Sequence, residues 1–578
     1  MATGDSMESR VFGVFENTGV ELTDVARSLA DSFGGAMVFL DAVQSTPSHR
    51  FSYLCLALHG IIRYGIGGCG VDGVAQATDF FATLERRVVS RPSTDLPAFL
   101  KDAGFAKAAL LTGGLVGFMG YGVCRETVAK SRRLSRGDRS NTHGSGERDG
   151  VSDSVAPDAW MARPAVILCK DSVTGNIALS LDAQVCAIPD AMTLVMTTLR
   201  NAYTRRDSSR HRASSLPAAG GLDRDACMPR EANRDGGRVP PGRPASACRG
   251  CAQQRGADSL EPDLPEGWHA DMTRDEYCRA VEYVKAQERE GNAYVVNLTQ
   301  RIHGPRCDDP WRAYLRLRTI TPAPYSAYLE YGNGVALCCS SMERFLMIRD
   351  GKAVTSPIKG TSARGENPES DAASRDALMH SAKDRAELLM VVDLERNDMS
   401  RLCLPESITV PALARVETYS TLHQLVCDVM GTLAGPTVAG AVRLLRNMFP
   451  GGSVTGAPKE SAMRIIDHVE RSPRGAYTGC LGYLADGGDA DFGIVIRTME
   501  CDACECRLGV GGGITHESNP RGEYDEMVLK SRAVIEAFLP HRRTPDGAGD
   551  AVSDAARRAG TGLEKHKGGE THGSGRGE

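Results

Sequence analysis

The chain has 578 residues, of which 41% are hydrophobic and 24% are charged, so it carries enough apolar material for several folded domains. Its 68 basic and 73 acidic residues leave a net charge of −5, which argues against a protein built mainly to bind nucleic acid. It contains no uncharged apolar run near the roughly 18 residues of a membrane span. The acidic start, MATGDSMESRVFGVFENTG, fits neither a secretory nor a transit peptide, so we expect a cytoplasmic protein.

Three segments lack apolar periodicity and are rich in small and charged residues, so we predict that they do not fold: 130–159, 204–263 and 541–578. The basic run at 205–212 leaves open a contact with an anionic partner besides the simpler interpretation as a solvated insertion. Two blocks remain, at 11–203 and 266–540. We expect each of them to form a folded region.

In chain order, the first block alternates short apolar runs with helical patterns. Its predicted elements are a helix at 22–33, strands at 36–40, 51–58, 110–119 and 165–168, and a helix at 191–203. The predicted elements of the second block are helices at 279–287, 439–448 and 459–469, and strands at 294–298, 335–339, 345–348, 353–355, 492–500 and 506–510. Short turns such as 349–352 predict antiparallel hairpins. The pattern favours an α+β fold of layered antiparallel sheets over a doubly wound parallel sheet.

The 18 cysteines lie largely in apolar segments, which is typical of reduced, buried thiols. Two C-x-x-C pairs occur, Cys248/Cys251 and Cys501/Cys504. They are far apart in the sequence, and a structural zinc site needs four converging ligands, so a shared zinc site is disfavoured. No GxSxG elbow supports a Ser-His-Asp triad.

A glycine run at 511–513 precedes a predicted helix near the end of the second block. On that helix Glu523, Glu526 and Lys530 share one face because they are spaced i, i+3 and i+7. Two carboxylates and an ammonium beside exposed backbone N–H groups suit a carboxylate ligand held through Mg²⁺. The local pattern by itself favours an exposed helix face with a Glu–Lys pair.

Three further segments carry candidate chemistry. Lys359 follows a predicted strand; a partly desolvated lysine can act as a nucleophile, although a surface turn is the simpler local interpretation. Glu387 precedes the apolar run 388–392 and faces either solvent or a metal, with solvent favoured locally. The loop FPGGSVTGAPK, at 449–459, presents N–H groups at a helix N-terminus, so both an anion site and a simple helix cap stay open. It lacks the order of a Walker P-loop.

Together these segments resemble the chorismate-utilising enzymes, which include anthranilate synthase component I, aminodeoxychorismate synthase component I, and the isochorismate and salicylate synthases. The resemblance covers 277–539 and implies a large β-sandwich core with flanking helices. Its motifs are NLTQR at 297–301, PIKGTSARG at 357–365, ELLMVVDLERND at 387–398, VETYSTLHQLVCDVMGTL at 416–433, FPGGSVTGAPK at 449–459, RGAYTGCLGY at 474–483, FGIVIRT at 492–498 and GGGITHESNPRGEYDE at 511–526. In the first block, FLDAVQSTPSHRFSYL at 39–54 and GGLVGFMGYG at 113–122 also fit the family.

The resemblance implies a role for each matching position. Glu387 and Glu526 would be magnesium ligands, with Glu523 beside them, and the ion would hold the ring carboxylate of chorismate. Glu343 would protonate the departing C4 hydroxyl, and His423 corresponds to the active-site histidine of the family. The implied substrate-binding positions are Tyr477, Arg497, Lys530, Gly511, Gly512, Gly513, Thr455 and Gly456.

Lys359 separates the members of the family, since anthranilate synthases usually read PIAGT where aminodeoxychorismate synthases read PIKGT. In the latter the lysine attacks C2, the C4 hydroxyl leaves, and ammonia then attacks C4 and expels the lysine. The product, 4-amino-4-deoxychorismate, leads to 4-aminobenzoate and folate. Such a lysine must be neutral, so we predict that a dry site lowers its pKa. No GxCxGxQ-like elbow occurs, so we expect a separate glutaminase subunit to supply ammonia.

Two positions depart from the family pattern. Val295 stands where members often carry Gln, or a Lys that activates water, which disfavours isochorismate chemistry. Ala42 replaces the Ser of a tryptophan-pocket motif, so feedback by tryptophan is doubtful, although APYSAYL at 323–329 matches the other wall of that pocket. The alternatives are an anthranilate synthase component I and a non-catalytic sensor of chorismate or tryptophan.

Overall fold

A computed structural model describes residues 10–16, 18–43, 50–65, 68–88, 96–127, 157–214, 264–331, 334–419 and 422–540. Most of the three segments predicted not to fold, and the pair Cys248/Cys251, therefore lie outside the described residues. At their edges the structure differs from the prediction. The strand Ala159–Asp171 begins at the last residue of the first segment, and the helix Ile188–Ser214 extends into the second.

The first block consists of eight strands and five helices among its described residues. The strands are β1 Arg10–Phe15, β2 Met37–Asp41, β3 Phe51–Gly65, β4 Gly68–Val71, β5 Val74–Ala75, β6 Gly114–Met119, β7 Ala159–Asp171 and β8 Ile177–Asp182. The helices are α1 Leu22–Ser32, α2 Phe80–Arg87, the short turns α3 Ala98–Leu100 and α4 Cys124–Thr127, and α5 Ile188–Ser214.

The second block carries the remaining strands and helices. The strands are β9 His269–Ala270, β10 Val295–Pro305, β11 Tyr325–Glu330, β12 Ala336–Ser341, β13 Arg344–Arg349, β14 Lys352–Ser356, β15 Ile358–Ala363, β16 Arg415–Thr418, β17 Leu422–Val426, β18 Val429–Thr432, β19 Gly456–Ala457, β20 Cys480–Ala485, β21 Ala490–Ile494, β22 Thr498–Cys501 and β23 Glu505–Ile514. The helices are α6 Arg274–Arg289, α7 Pro310–Ile320, α8 Pro368–His380, α9 Ala382–Ser400, α10 Val438–Met448, α11 Lys459–Val469 and α12 Pro520–Phe538.

Antiparallel pairing organises the strands, which confirms the predicted α+β class. A 20-stranded ladder joins both blocks, because β2 pairs with β11 and β6 pairs with β20. A separate 3-stranded sheet, in the order β15-β17-β16, carries Lys359. One apolar cluster is built largely of strand residues from both blocks, including Tyr53, Phe118 and Tyr483, as expected for the interior between two sheet layers. Helices pack outside it and complete two further clusters.

Two of the helices that flank the site begin at side-chain caps. The Ser381 hydroxyl accepts from the Asp384 N–H at the start of α9, and the Asn519 side chain accepts from two N–H groups at the start of α12. Helix α12 then packs along β23, and α9 packs along β15. No helix among the described residues is long and apolar enough to cross a bilayer.

One predicted strand, 492–500, is wrong as a single element. The chain leaves the ladder between β21 and β22, where Arg497 has a left-handed φ of 51°. The hairpin therefore joins β22 to β23. The predicted strand at 110–119 likewise begins only at Gly114, after a 3-10 turn at Ala109–Thr112. By contrast, the helix predicted at 459–469 has those same bounds.

Candidate active site

Lys359 lies on β15 with its side chain directed into the space beside β23. Its Nζ donates to the Ser453 carbonyl at 3.1 Å. A Cβ placed on Gly513 would lie 3.3 Å from that Nζ and 3.9 Å from Glu387 Oε2. Burial lowers the pKa of Lys359, against the opposing effect of the Glu387 and Glu343 carboxylates. This direction agrees with the expectation from the sequence, and it favours a neutral amine.

Glu343 lies next to Lys359, between β12 and β13, and is 5% exposed. Its carboxylate accepts from the Ser453 hydroxyl and from the Ile358 N–H. Burial raises the pKa of Glu343 to about 6, although Ser453 and Lys359 act in the opposite direction. A buried carboxyl group with such a pKa keeps its proton to a higher pH than an ordinary glutamate does, which suits a general acid.

Thr455 and Gly456 shape the loop that carries Ser453. The Thr455 hydroxyl donates to the Gly451 carbonyl at 2.8 Å, and the Thr455 carbonyl accepts from Asn297 at 2.8 Å. Gly456 pairs with β10 and has a φ of 144°, which favours glycine. These contacts hold the loop against the ladder, and substrate binding by the two residues stays a prediction.

The glycine run forms part of β23 and pairs with β10. Gly511, Gly512 and Gly513 lie opposite Thr299, Leu298 and Asn297. A Cβ on Gly511 would overlap the Leu298 carbonyl, so that glycine is required by the packing of two strands. A Cβ on Gly512 would instead face the side chains of α12, and Gly513 faces Lys359. Two of the three glycines therefore border the site.

The predicted polar face of α12 points at this glycine strand. Lys530 Nζ lies 2.8 Å from Glu526 Oε1 and donates to the Gly511 carbonyl at 3.2 Å. A Cβ on Gly512 would lie 3.5 Å from both Glu523 Oε2 and Lys530 Nζ. Burial acts to raise the pKa of Glu526, but Lys530, together with Lys383 and Lys359, outweighs it and the pKa is lowered. Lys530 thus forms the ion pair with Glu526 that the local pattern predicted, and it also contacts the glycine strand.

Glu387 enters the same space from α9. Burial raises its pKa, Lys359 opposes this, and Glu523 adds to it. Among the described residues, no group of three or more His, Cys, Asp or Glu lies close enough together to hold a metal ion. The predicted set of Glu387, Glu526 and Glu523 is therefore not assembled as three ligands. Mg²⁺ commonly takes one or two protein carboxylates and completes its shell with water and substrate oxygens, so these acids fit that ion.

Tyr477 and Arg497 border the site next to β23. Tyr477 is buried, and its ring packs where a Cβ on Gly509 would stand. Burial lowers the pKa of Arg497, while Tyr477 and Glu526 act to raise it. Arg497 also has a left-handed φ of 51°. Such strain in a non-glycine residue is common at binding sites, since the surrounding structure must enforce it.

His423 is buried on β17, and its contacts lead to neighbouring elements. Its Nδ1 lies 2.9 Å from Thr418 Oγ1, and its Nε2 lies 2.9 Å from Asp371 Oδ1 on α8. Asp371 in turn accepts from Arg364 at 2.7 Å. Of the three predicted catalytic residues, the structure thus brings Lys359 and Glu343 together, whereas His423 is held by Thr418 and Asp371.

Two residues to which the sequence assigned no role of their own organise the site. Ser453 contacts both Lys359 and Glu343. Arg474 is 3% exposed; it donates to the Val454 carbonyl at 2.8 Å and to the Asn297 carbonyl at 2.7 Å, and it pairs with Glu470. Both residues lie inside recognised motifs, but their partners are distant in sequence, so spacing gave no signal.

Two positions that depart from the family pattern have distinct surroundings. Val295 lies beside the site, since a Cβ on Gly513 would be 3.6 Å from its Cγ2. A separate cavity of about 530 Å³ is lined by Leu40 of FLDA and by Tyr325, Ser326 and Ala327 of APYSAYL, whereas Ala42 is not among its lining residues. The two segments therefore meet, as expected from the sequence.

The hairpin at the second C-x-x-C pair separates its cysteines. Cys501 on β22 faces Cys506 on β23 with their sulfurs 3.6 Å apart, and Cys504 is exposed between the strands. Both facing thiols are buried. The pair that the spacing suggests, Cys501 and Cys504, is thus not the pair that the fold brings together.

A protein-family model matches a region that contains most of the second block. The family model described as chorismate binding enzyme matches residues 229–536, more than half of the 578-residue chain. The chain therefore belongs to the chorismate binding enzyme family.

The curated relatives each match about half of the chain. The chain is 44% identical over 286 residues to the aminodeoxychorismate synthase of Streptomyces pristinaespiralis, covering 49% of this chain and 39% of the relative. It is 41% identical over 272 residues to aminodeoxychorismate synthase component 1 of Salmonella typhimurium, covering 47% and 59%. It is 42% identical over 272 residues to an anthranilate synthase component 1 of Haloarcula marismortui, covering 47% and 55%. The chain thus spans less than two thirds of these curated relatives.

A solved structure extends the likeness to the first block. Anthranilate synthase component I from Streptococcus pneumoniae superposes with a TM-score of 0.60, covering 85% of this chain and 93% of that chain. The sequence identity is 22%, so this likeness shows the fold alone. It confirms that both blocks follow the anthranilate synthase component I architecture.

Proposed function

We propose that this chain is the chorismate-aminating component of an aminodeoxychorismate synthase, which converts chorismate and ammonia to 4-amino-4-deoxychorismate for 4-aminobenzoate and folate synthesis. One observation carries the proposal: the Lys359 amine of the PIKGT motif lies between Glu343 and Glu387 against the glycine strand, and burial lowers its pKa. The relatives named aminodeoxychorismate synthase support the same assignment.

In the proposed reaction, the neutral Lys359 Nζ adds to C2 of chorismate, the ring double bond shifts, and the C4–O bond breaks. Glu343 gives its proton to the departing hydroxyl, so water leaves. Ammonia then adds at C4, the C2–N bond breaks, and Lys359 departs as a neutral amine. Glu343 takes up the surplus proton of the new C4 ammonium and is reset. Covalent catalysis of this kind divides one difficult substitution into two easier ones.

The same site would hold both carboxylates of the substrate. Glu387 and Glu526, with Glu523 beside them, would bind Mg²⁺, which supplies positive charge for the ring carboxylate when bound. Tyr477, Arg497 and Lys530 offer donors for the other carboxylate. A guanidinium is suited to a carboxylate because its donors match the two oxygens. Val295 offers no group that could activate water at C2, which supports amination over hydration.

Ammonia would come from glutamine through a separate glutaminase subunit. The Salmonella relative is named component 1, which fits a protein with a second component. Ammonium salts should substitute for the partner.

The test is a mass-resolved product assay with purified chain, chorismate, Mg²⁺ and ammonium. We expect 4-amino-4-deoxychorismate, with no product in a reaction lacking ammonium. Anthranilate and pyruvate would contradict the proposal and assign the chain to anthranilate synthesis, the activity that the name of the Haloarcula relative gives. Absence of any product, with ammonium and also with glutamine and a glutaminase subunit, would favour a chorismate-sensing protein.

A further inference from the structure

A second buried carboxyl group lies behind the site, on the far side of the loop that carries Ser453. Glu395 belongs to α9, two turns after Glu387, and is 2% exposed. Its Oε1 accepts from the Gly452 N–H at 2.9 Å. Its Oε2 is buried and has no hydrogen-bond partner among the described residues. A buried carboxyl group with one unpaired oxygen is costly, so it calls for a physical explanation.

The residue that Glu395 contacts is the chain neighbour of Ser453, which contacts both reacting groups. Gly452 precedes Ser453 in the 3-10 turn Gly452–Val454. The Ser453 carbonyl accepts from Lys359, and its hydroxyl donates to Glu343. The approach is close, since a Cβ on Gly452 would lie 2.9 Å from Glu395 Oε1. A larger residue at 452 would therefore have to displace the side chains of Leu394 and Glu395.

We propose that Glu395 is a positioning residue that fixes the Gly452–Val454 turn through the Gly452 N–H and thereby sets Ser453 against Lys359 and Glu343. This inference rests on the proposed function for its kinetic consequence, and on the contacts alone for its structural one. The Lys459 ammonium is already used by Asp398 and by the Met448 carbonyl. The side-chain hydrogen bond to the Gly452 N–H therefore comes from Glu395.

The charged groups around Glu395 support this role. Burial raises its pKa to about 7, Lys459 acts to lower it, Asp398 and Glu343 act to raise it, and the Gly452 N–H acts to lower it. The neutral and ionised carboxyl groups can each accept from an N–H group through one oxygen. An amide can do so as well, whereas a leucine of similar size cannot. Comparing these two substitutions separates the hydrogen bond from the charge and from packing.

The experiment compares Glu395→Gln with Glu395→Leu in the full chain, measuring kcat and KM for chorismate with ammonium. Glu395→Gln should keep kcat within about threefold, while Glu395→Leu should lose about tenfold in kcat with little change in KM, as expected for one lost hydrogen bond of about 1.4 kcal/mol. Val392→Ala, a buried apolar truncation on the same helix, is the matched control. It should lower the unfolding free energy without lowering kcat.

Equal losses in the Gln and Leu variants would overturn the inference in favour of a charge effect. A Val392→Ala variant that loses as much kcat as Glu395→Leu would overturn it in favour of general destabilisation.

If the wild-type chain makes no product, the proposed function fails and a second readout decides the inference. This readout is the pH dependence of acylation of Lys359 by acetic anhydride, followed by peptide mass spectrometry. Glu395→Leu should raise the pKa of Lys359 toward its ordinary value, because a loosened turn admits water, while Glu395→Gln should match the wild type. The same pKa in all three proteins would overturn the inference.

Discussion

The site has two walls, one on the β15 side and one on the α12 side. Each wall carries a glutamate and a lysine, but the surroundings of these charged groups differ. On the β15 side, Glu343 is 5% exposed, and burial raises its pKa to about 6. On the α12 side, the Glu526 side chain is 57% exposed and lies 2.8 Å from Lys530, which lowers its pKa against the effect of burial. Lys359 is desolvated and its pKa is lowered, whereas Lys530 is ion-paired. The β15 wall, with Glu343 and Lys359, suits proton transfer and nucleophilic attack. The α12 wall, with Glu526 and Lys530, suits the binding of charged ligands.

The largest effect is expected on the reactive wall, for Lys359→Ala. Removing the nucleophile should lower kcat by about a thousandfold or more, since the covalent route is lost. Steady-state kinetics with chorismate and ammonium would measure it. Lys352→Ala is the matched control, because Lys352 is exposed on the adjacent β14. A Lys359→Ala variant as active as Lys352→Ala would show that Lys359 is not the nucleophile.

Glu343→Gln tests the acid on the same wall. We expect a loss of about a hundred- to ten-thousandfold in kcat, typical of removing a general acid. The wild type requires Glu343 protonated and Lys359 neutral, so its kcat/KM should fall as pH rises through about 6 and Glu343 loses its proton. It should also fall as pH drops through the lowered pKa of Lys359, because a charged amine cannot attack. The glutamine has no proton to lose, so the alkaline limb should disappear; an unchanged limb would assign it to another group.

The binding wall is tested by Glu387→Gln and Glu526→Gln in magnesium titrations. Each change removes a carboxylate, so the Mg²⁺ concentration for half-maximal activity should rise by at least about tenfold, the cost of losing even an outer partner of a metal ligand. The kcat at saturating Mg²⁺ should change less than in Glu343→Gln. Glu417→Gln, at a partly exposed acid on β16, is the control. Activity independent of Mg²⁺ would contradict the proposed metal site.

The smallest effect concerns the strand between the two walls. Gly511→Ala would overlap the Leu298 carbonyl and should lower the unfolding free energy by about 1–3 kcal/mol, as overpacking does. Gly512→Ala would meet only side-chain ends at 3.5 Å and should change stability by about 0.5 kcal/mol or less. Chemical denaturation of both variants measures the difference. Equal stabilities would show that β10 and β23 can separate at this point.

Local patterns predicted the elements whose burial is periodic. The helix 459–469 and the hairpin of β13 and β14 followed from amphipathic spacing and a short turn. Helices α8 and α9 gave no such pattern, because their apolar residues are scattered around the axis and their burial comes from β15, β17 and α10. Secondary structure that depends on tertiary contacts cannot be predicted from the periodicity of apolar residues.

The sequence by itself determined the family, the α+β class and the identities of the candidate catalytic and binding residues, because these depend on residue types at motif positions. Only the tertiary structure decided which of them meet. In the folded chain Lys359 and Glu343 both contact Ser453, and His423 contacts Asp371. Glu395 accepts a hydrogen bond from the turn that carries Ser453. The physical reason is that desolvation and hydrogen bonding depend on neighbours distant in the chain, and these neighbours decide whether a carboxyl group keeps its proton or an amine loses it.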